Sequence, residues 1–360
     1  MDRSTKSISQ EDDEYYSEAV QVATSATLPV VLNAAIKLKL FEIISKSGKL
    51  MSPSQIASQL SPKNPDAAAM LDRMLLLLSS YSLFTCDLLQ VASEDGTVRH
   101  ERVYGLSPVG QYFVPDEEGI SIAYLAEFFQ HKAYIDCWYE LGNSVLEGGL
   151  AFERVFGMNQ HEYAEQDAGF NEMFNKGLTG LTSTTMKHFL RVYEGFQGIE
   201  TLVDVGGGLG VSLHAITSMY PQIRGINFDL PHVVKDAPSY VGVKHIGGDM
   251  FESVPKGDAI FMKGALHWSD DRCVKVLNNC LASLPATGKV IIVDFIVPLK
   301  PDTSFSTRIV CQTDNFLMTV LPGGKEHSET EFRSLAKRAG FKDMKVKHRL
   351  GYFGIIELFK

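Results

Sequence analysis

The sequence predicts an α/β protein: an open, mostly parallel sheet with an antiparallel last strand pair, preceded by a helical domain that ends in a hairpin. Three observations carry this. After about Gly198, short β-branched runs (TLVDV, RGINFD, AIFMK and KVIIVDF) alternate with helical segments, the pattern of βαβ units with helices on both faces of a sheet. FKDMKVKHRL and YFGIIELF follow as two strands joined by a short turn at Gly351, so this pair runs antiparallel. From Ala19 to roughly Gly180 the apolar periodicity is mostly helical. At 360 residues the chain suits two domains rather than one.

Taken from the start, residues 1–17 are polar and acidic and read as a disordered tail. A domain over 18–118 comes next. In ATLPVVLNAAIKLKLFEII, Val31, Ala34, Ala35, Leu38 and Phe41 fall at helical spacing. SPSQIASQL opens with a capping box, Ser52 with Gln55 three places on, and has Pro53 at the first helical position. NPDAAAMLDRMLLLLSSYSLF repeats the design with Asn64 as cap and Pro65 behind it. Two strands then flank Asp95-Gly96, a hairpin signal. Three short helices and a hairpin outline a winged helix, yet its second helix offers no Lys or Arg to phosphates, so a scaffold or dimerisation role fits better than DNA binding. Residues 119–195 read as a helical, aromatic-rich region and 196–360 as the domain of alternating strands and helices.

Composition narrows the function classes. A net charge of −9 argues against a protein that works on nucleic-acid phosphates or anionic membrane. The five cysteines are widely spaced with no CxxC or Cys/His pairing, which points to free thiols rather than a metal site or disulfide framework. No signal peptide, transit peptide or membrane-length apolar run is present, so the cytoplasm is expected, with no membrane partner.

TLVDVGGGLGVSLHAI is strand, glycine loop, helix. The glycines at 206, 207, 208 and 210 allow close backbone approach, but neither the dinucleotide spacing nor a P-loop ending is met. Asp204 beside the loop would repel phosphates and suit a cationic ligand. Asp229 ends the next strand, about where a nucleoside-binding fold places a carboxylate on ribose hydroxyls. Asp249 follows the strand after that, with Met250 and Phe251 able to cover a purine face. Each acid alone could simply cap a helix. Together they describe S-adenosylmethionine: adenosine, no phosphate, a sulfonium cation.

LVDVGGGLG, GINFDLPHVV, GGDMFESVP, ASLPATGKVIIVDFIVP and PGGKEHSETEF resemble the plant caffeic-acid-type family of S-adenosylmethionine-dependent O-methyltransferases, and the likeness runs in order from about Ala19. It implies a Rossmann-like methyltransferase domain behind an N-terminal dimerisation domain, a homodimer, and a small aromatic hydroxylated substrate. S-adenosylmethionine would be bound by Asp204, Gly206, Gly208, Asp229, Leu230, Asp249, Met250, Phe251 and Lys263 and released as S-adenosylhomocysteine, with no metal. A phenol has a pKa of about 10 and an imidazole about 6.5, so a nearby histidine can take the proton as the oxygen becomes nucleophilic. By resemblance the base is His267, oriented by Asp294 and Glu326.

Two departures stand out. The family segment reads K-x-x-x-H-D-W-x-D, whereas here Lys263-Gly-Ala-Leu-His267-Trp268-Ser-Asp270 is one residue shorter. Counted forward from Lys263, His267 takes the base position; counted back from Trp268, Leu266 does. The strand end anchors the forward count. Asp294 also stands where the family commonly has Glu. In the acceptor pocket, positions matching polar family residues read Phe129, Ala164, Leu181 and Leu321, while an aromatic clamp is kept at Phe170 and Phe174 with Met318 nearby. The expected acceptor is therefore larger and less polar than free caffeic acid, of flavonoid, lignan, coumarin or alkaloid type. The alternative is a cofactor-binding homologue that has lost or changed methyl transfer: a cyclase or isomerase, or a non-catalytic dimer partner.

Overall fold

A computed structural model describes residues 10–92 and 98–360. The chain divides into two compact units between His131 and Lys132.

In the first unit, helices α1 (Gln10–Thr24), α2 (Thr27–Lys37), α3 (Leu40–Ser47), α4 (Pro53–Leu60) and α5 (Ala67–Ser80) precede a hairpin of β1 (Phe84–Ala92) and β2 (Val98–Leu106); α6 (Ala123–Phe129) closes it. Phe41, Ile44, Ile56, Leu75, Leu78 and Tyr104 meet in its core. The capping box at α4 is formed, with the Ser52 hydroxyl taking the N–H of Gln55 and the Gln55 side chain taking that of Ser52, an arrangement of about 1 kcal/mol.

Two expectations need correction here. Residues 10–17 are helical, the start of α1, because Glu11, Asp12 and Asp13 sit at the positive end of the helix and Tyr15 donates to Glu11 at 2.7 Å. Residues 1–9 of the expected tail, and the Asp95-Gly96 turn, lie outside the described residues. α5 also starts later than expected: Asn64 accepts the N–H of Asp66 at 3.0 Å in an Asx turn, and the helix begins at Ala67. Along α1, Tyr15, Tyr16, Val20 and Val22 are exposed apolar surface.

The second unit begins with α7 (Lys132–Glu147), α8 (Ala151–Phe156), α9 (Gln160–Gln166) and the 25-residue α10 (Ala168–Val192). The open sheet then alternates strand and helix: β3 (Thr201–Val205), α11 (Val211–Met219), β4 (Arg224–Asp229), α12 (Pro231–Lys235), β5 (Val243–Gly247), β6 (Ala259–Lys263), α13 (Asp270–Ser283) and β7 (Lys289–Val297). α14 (Phe305–Val320), β8 (His327–Ser328), α15 (Glu329–Arg338) and the antiparallel β9 (Asp343–Leu350) and β10 (Phe353–Phe359) complete it.

Strand order is β5-β4-β3-β6-β7-β10-β9, with β8 beside β7. β3 to β7 are parallel, and β10 is antiparallel to both its neighbours. Alternation along the strands splits the core into two layers. Val203, Val205, Ile260, Met262, Val290 and Ile292 face α13 and α15. Leu202, Phe261, Ile291 and Val293 face the end of α10 together with α11. The expected helical region 119–195 is thus not one body: α10 supplies Met186 and Phe189 to the sheet's own core. Tyr193, just beyond α10, donates to the buried Glu357 on β10 at 2.6 Å and fastens that end. The strand order reverses between β3 and β6, which places the crevice for a ligand at their carboxyl ends.

Candidate active site

The glycine loop starts at that reversal. Gly206 and Gly208 have φ of 71° and 56°, left-handed backbone that L side chains avoid. A Cβ on Gly207 would lie 2.1 Å from Asn227 Oδ1 and 2.8 Å from the Asp204 carboxyl. The loop is braced from β4. Gly206 N–H donates to Phe228 O at 2.9 Å, Asn227 Nδ2 to Gly208 O at 2.9 Å, and Gly208 N–H to Asp229 Oδ2 at 2.8 Å. The other oxygen of Asp229 takes Leu230 N–H at 2.7 Å. Asn227, fully buried, is a brace the sequence reading missed, although an amide between Ile226 and Phe228 in a strand was its visible signal.

Asp204 is 1% exposed, and both its carboxyl oxygens are without a hydrogen-bond partner among the described residues. Burial, and after it the charge of Asp229, push it up to about 7, against the pull of Lys263. A buried acid left unpaired beside a glycine loop suits a cation. Lys263 ends β6 and donates from Nζ to Thr182 on α10 at 3.1 Å. Burial lowers its ammonium to about 8, with Asp294 and Asp204 opposing the shift. On the far side of the loop, Asp249 accepts Phe251 N–H at 2.8 Å, and Met250 O is held by Asn279 Nδ2 at 2.8 Å. The ring of Phe251 meets Trp268 edge-on at 5.8 Å, with the Arg272 guanidinium 4.3 Å and 4.2 Å from the two rings. Arg272 was not singled out from the sequence. The expected cofactor residues therefore converge on adjacent strand ends.

The loop that carries His267 is pinned through its backbone on both sides. Leu266 N–H donates to Asp294 Oδ2 at 3.3 Å, and Lys325 N–H donates to the carbonyl of His267 at 3.2 Å. Leu266 is 1% exposed and belongs to the core layer of α13 and α15. Among the described residues no hydrogen bond joins Asp294 or Glu326 to the imidazole. Asp294 spends its oxygens on the N–H groups of Leu266 and Phe295 (3.0 Å), and Glu326 has Asp294 and Asp314 as charged neighbours. The backbone that meets Asp294 is that of Leu266, and His267 has His327 and His161 as electrostatic neighbours.

Burial, then His327 and His161, lower the imidazole of His267 to about 4, so it is neutral at physiological pH. Burial, then Asp294 and Asp314, raise Glu326 well above the usual carboxylate range. Burial also raises Asp294, which the two backbone N–H groups partly offset.

An aromatic wall stands on α7 to α10. Asp167 caps α10 by accepting Phe170 N–H at 2.9 Å. Phe170, Phe174 and Leu181 then follow at helical spacing along α10, with Phe170 and Phe174 stacked at 6.3 Å. Tyr134 on α7 lies 5.4 Å from Phe170 and 5.0 Å from Phe316 on α14. Ala164 is half-buried on α9, and Leu321 is buried at the end of α14. Met318, two positions beyond the buried Phe316, is 44% exposed. Phe129 belongs to α6 in the first unit. Tyr134 and Phe316 escaped the sequence reading because an aromatic at helical spacing looks like plain core.

Comparison with known proteins agrees with this architecture. A family model described as an O-methyltransferase domain matches residues 138–342, and one described as an O-methyltransferase dimerisation domain matches 20–116. Caffeic acid 3-O-methyltransferase of Prunus dulcis is 50% identical over 97% of this chain and 95% of that protein. Caffeic acid 3-O-methyltransferase 1 of Populus tremuloides is 49% identical over 93% and 92%. The methyltransferase of calicheamicin biosynthesis, in its SAH-bound form, superposes with a TM-score of 0.81 at 21% identity, covering 100% of both chains. Human N-acetylserotonin methyltransferase in complex with SAM gives 0.80 at 19% identity, over 98% of this chain and 99% of that one. These two structures share the fold. The chain belongs to the O-methyltransferase family and is an enzyme of that class.

Proposed function

We propose that the protein transfers a methyl group from S-adenosylmethionine to a phenolic hydroxyl of a plant aromatic metabolite, as a cytosolic homodimer assembled through its N-terminal unit. The observation that carries this is Asp204, buried and unpaired beside the glycine loop between strand ends that bear further acids. Asp204, Gly206, Gly208, Asp229, Leu230, Asp249, Met250, Phe251 and Lys263 hold the cofactor. When bound, it supplies an electrophilic methyl carbon on a positively charged sulfur. No group of three or more His, Cys, Asp or Glu among the described residues is placed to hold a metal.

The protein's own task is to position the acceptor and take up its proton. His267 does the second: its imidazole is neutral at working pH and carried on the strand-end loop beside Trp268. Asp294 and the segment bearing Glu326 act on that loop's backbone, fixing where His267 stands. Phe170, Phe174 and Leu181, with Leu321 and Ala164, favour an aromatic acceptor larger and less polar than the caffeic acid named for its relatives. Incubating the purified protein with methyl-labelled cofactor and a panel of phenols tests the reading. Label on an aromatic oxygen is expected; cofactor uptake with no label on any acceptor would instead favour a homologue that has lost transfer.

A further inference from the structure

Among the apolar residues of the aromatic wall sits one amide. Gln160 is the first residue of α9, where a capping box fixes the backbone: Asn159 Oδ1 accepts the N–H of His161 at 2.9 Å and of Glu162 at 3.0 Å, and Glu162 accepts that of Asn159 at 3.0 Å. Gln160 is 5% exposed, and its Oε1 accepts from the hydroxyl of Tyr134 at 3.3 Å. That contact orients the side chain and commits the oxygen, while Nε2 has no hydrogen-bond partner among the described residues. Tyr134 packs on Phe170 and Phe316, and the next residue, His161, is an electrostatic neighbour of His267. The free N–H₂ thus belongs to the wall beside the base loop. Nε2 is not among the sealed, unpaired polar atoms of the described residues, so it is open to water, which an acceptor on a bound ligand would replace.

We propose that Gln160 selects the acceptor: its Nε2 donates to a carbonyl oxygen carried by the aromatic substrate. The preferred class is then phenols with a ring carbonyl, as in hydroxyflavones and hydroxycoumarins, over phenols of the same size without one. This rests on the methyltransferase reading and narrows its substrate. A site built around a donor discriminates strongly against a ligand that leaves the donor unpaired, whereas apolar walls distinguish shapes only weakly.

The test compares 7-hydroxyflavone with 7-hydroxyflavan, which lacks the ring carbonyl and its double bond, in the wild type and in Gln160→Leu and Gln160→Glu. The wild type is expected to show kcat/KM about tenfold or more higher for the flavone. Gln160→Leu should erase that preference, lowering the flavone rate while the flavan rate holds or rises. Gln160→Glu, with an acceptor in place of the donor, should disfavour the flavone further. Equal losses on both acceptors would mean that Gln160 only packs against Tyr134, and an unchanged ratio would equally overturn the proposal. Should the wild type label neither these nor any other phenol, the functional reading fails instead, and binding of S-adenosylhomocysteine to each variant separates that from misfolding.

Discussion

The cofactor side and the acceptor side of the second unit are built in different ways. On the cofactor side the contacts are local or run between adjacent parallel strands: the loop after β3 is held by β4, and Asp229 by its own neighbours. On the acceptor side they join segments far apart in the chain, such as Tyr134 on α7 with Phe316 on α14. A site made from strand ends is set once the sheet forms. A site made from side chains of packed helices changes with every volume and hydroxyl along them. The first half can therefore stay constant across a family while the second is free to choose substrates.

Perturbing the two sides separately should break the protein in different ways. The largest effect is expected from His267→Ala, which should lower turnover by about two to four decades with little change in the Kd for S-adenosylhomocysteine. A rate left intact would move the proton acceptor elsewhere. Asp229→Ala should instead weaken binding of that ligand about ten- to a hundredfold, since a charged acceptor for two N–H groups of the cradle is lost. Calorimetry reads this directly.

A third effect depends on pH. Below about 7 the folded, ligand-free protein keeps Asp204 protonated, and uptake of a cation requires that proton to leave. Affinity for S-adenosylhomocysteine, which carries an ammonium group, should rise with pH by up to about tenfold per unit and level off above 7. Asp204→Asn should flatten the curve; a wild-type profile already flat from pH 5 to 8 would show that this acid does not face the ligand. The smallest effect is expected from Asp294→Asn. The amide oxygen can still accept from Leu266 N–H, so turnover should fall only a few-fold. A loss of several decades would mean that the carboxylate acts on the imidazole of His267 during the reaction, as the family resemblance implied.

Much of this was legible beforehand. β3, β4, β6 and β7, the antiparallel end and the capping box at Ser52 stand where the sequence predicts them, because period-two apolar runs and short-range caps are local signals. Asp204 of TLVDV and Asp229 of RGINFD stand on neighbouring parallel strands for the same reason. What failed was partnership at a distance. Asp294 meets the backbone of Leu266, and no count along the chain could decide which residue would stand over that carboxylate.

By itself, then, the sequence determined the sheet, the glycine turn and the acids at its edge, since these follow from φ preferences, side-chain alternation and hydrogen bonds between near neighbours. Only the tertiary structure decided that His267 neighbours histidines rather than carboxylates, that Asp204 has no partner and that Gln160 keeps an open amide. The reason is physical: a buried polar group's state depends on everything that encloses it, and what encloses it comes from distant parts of the chain.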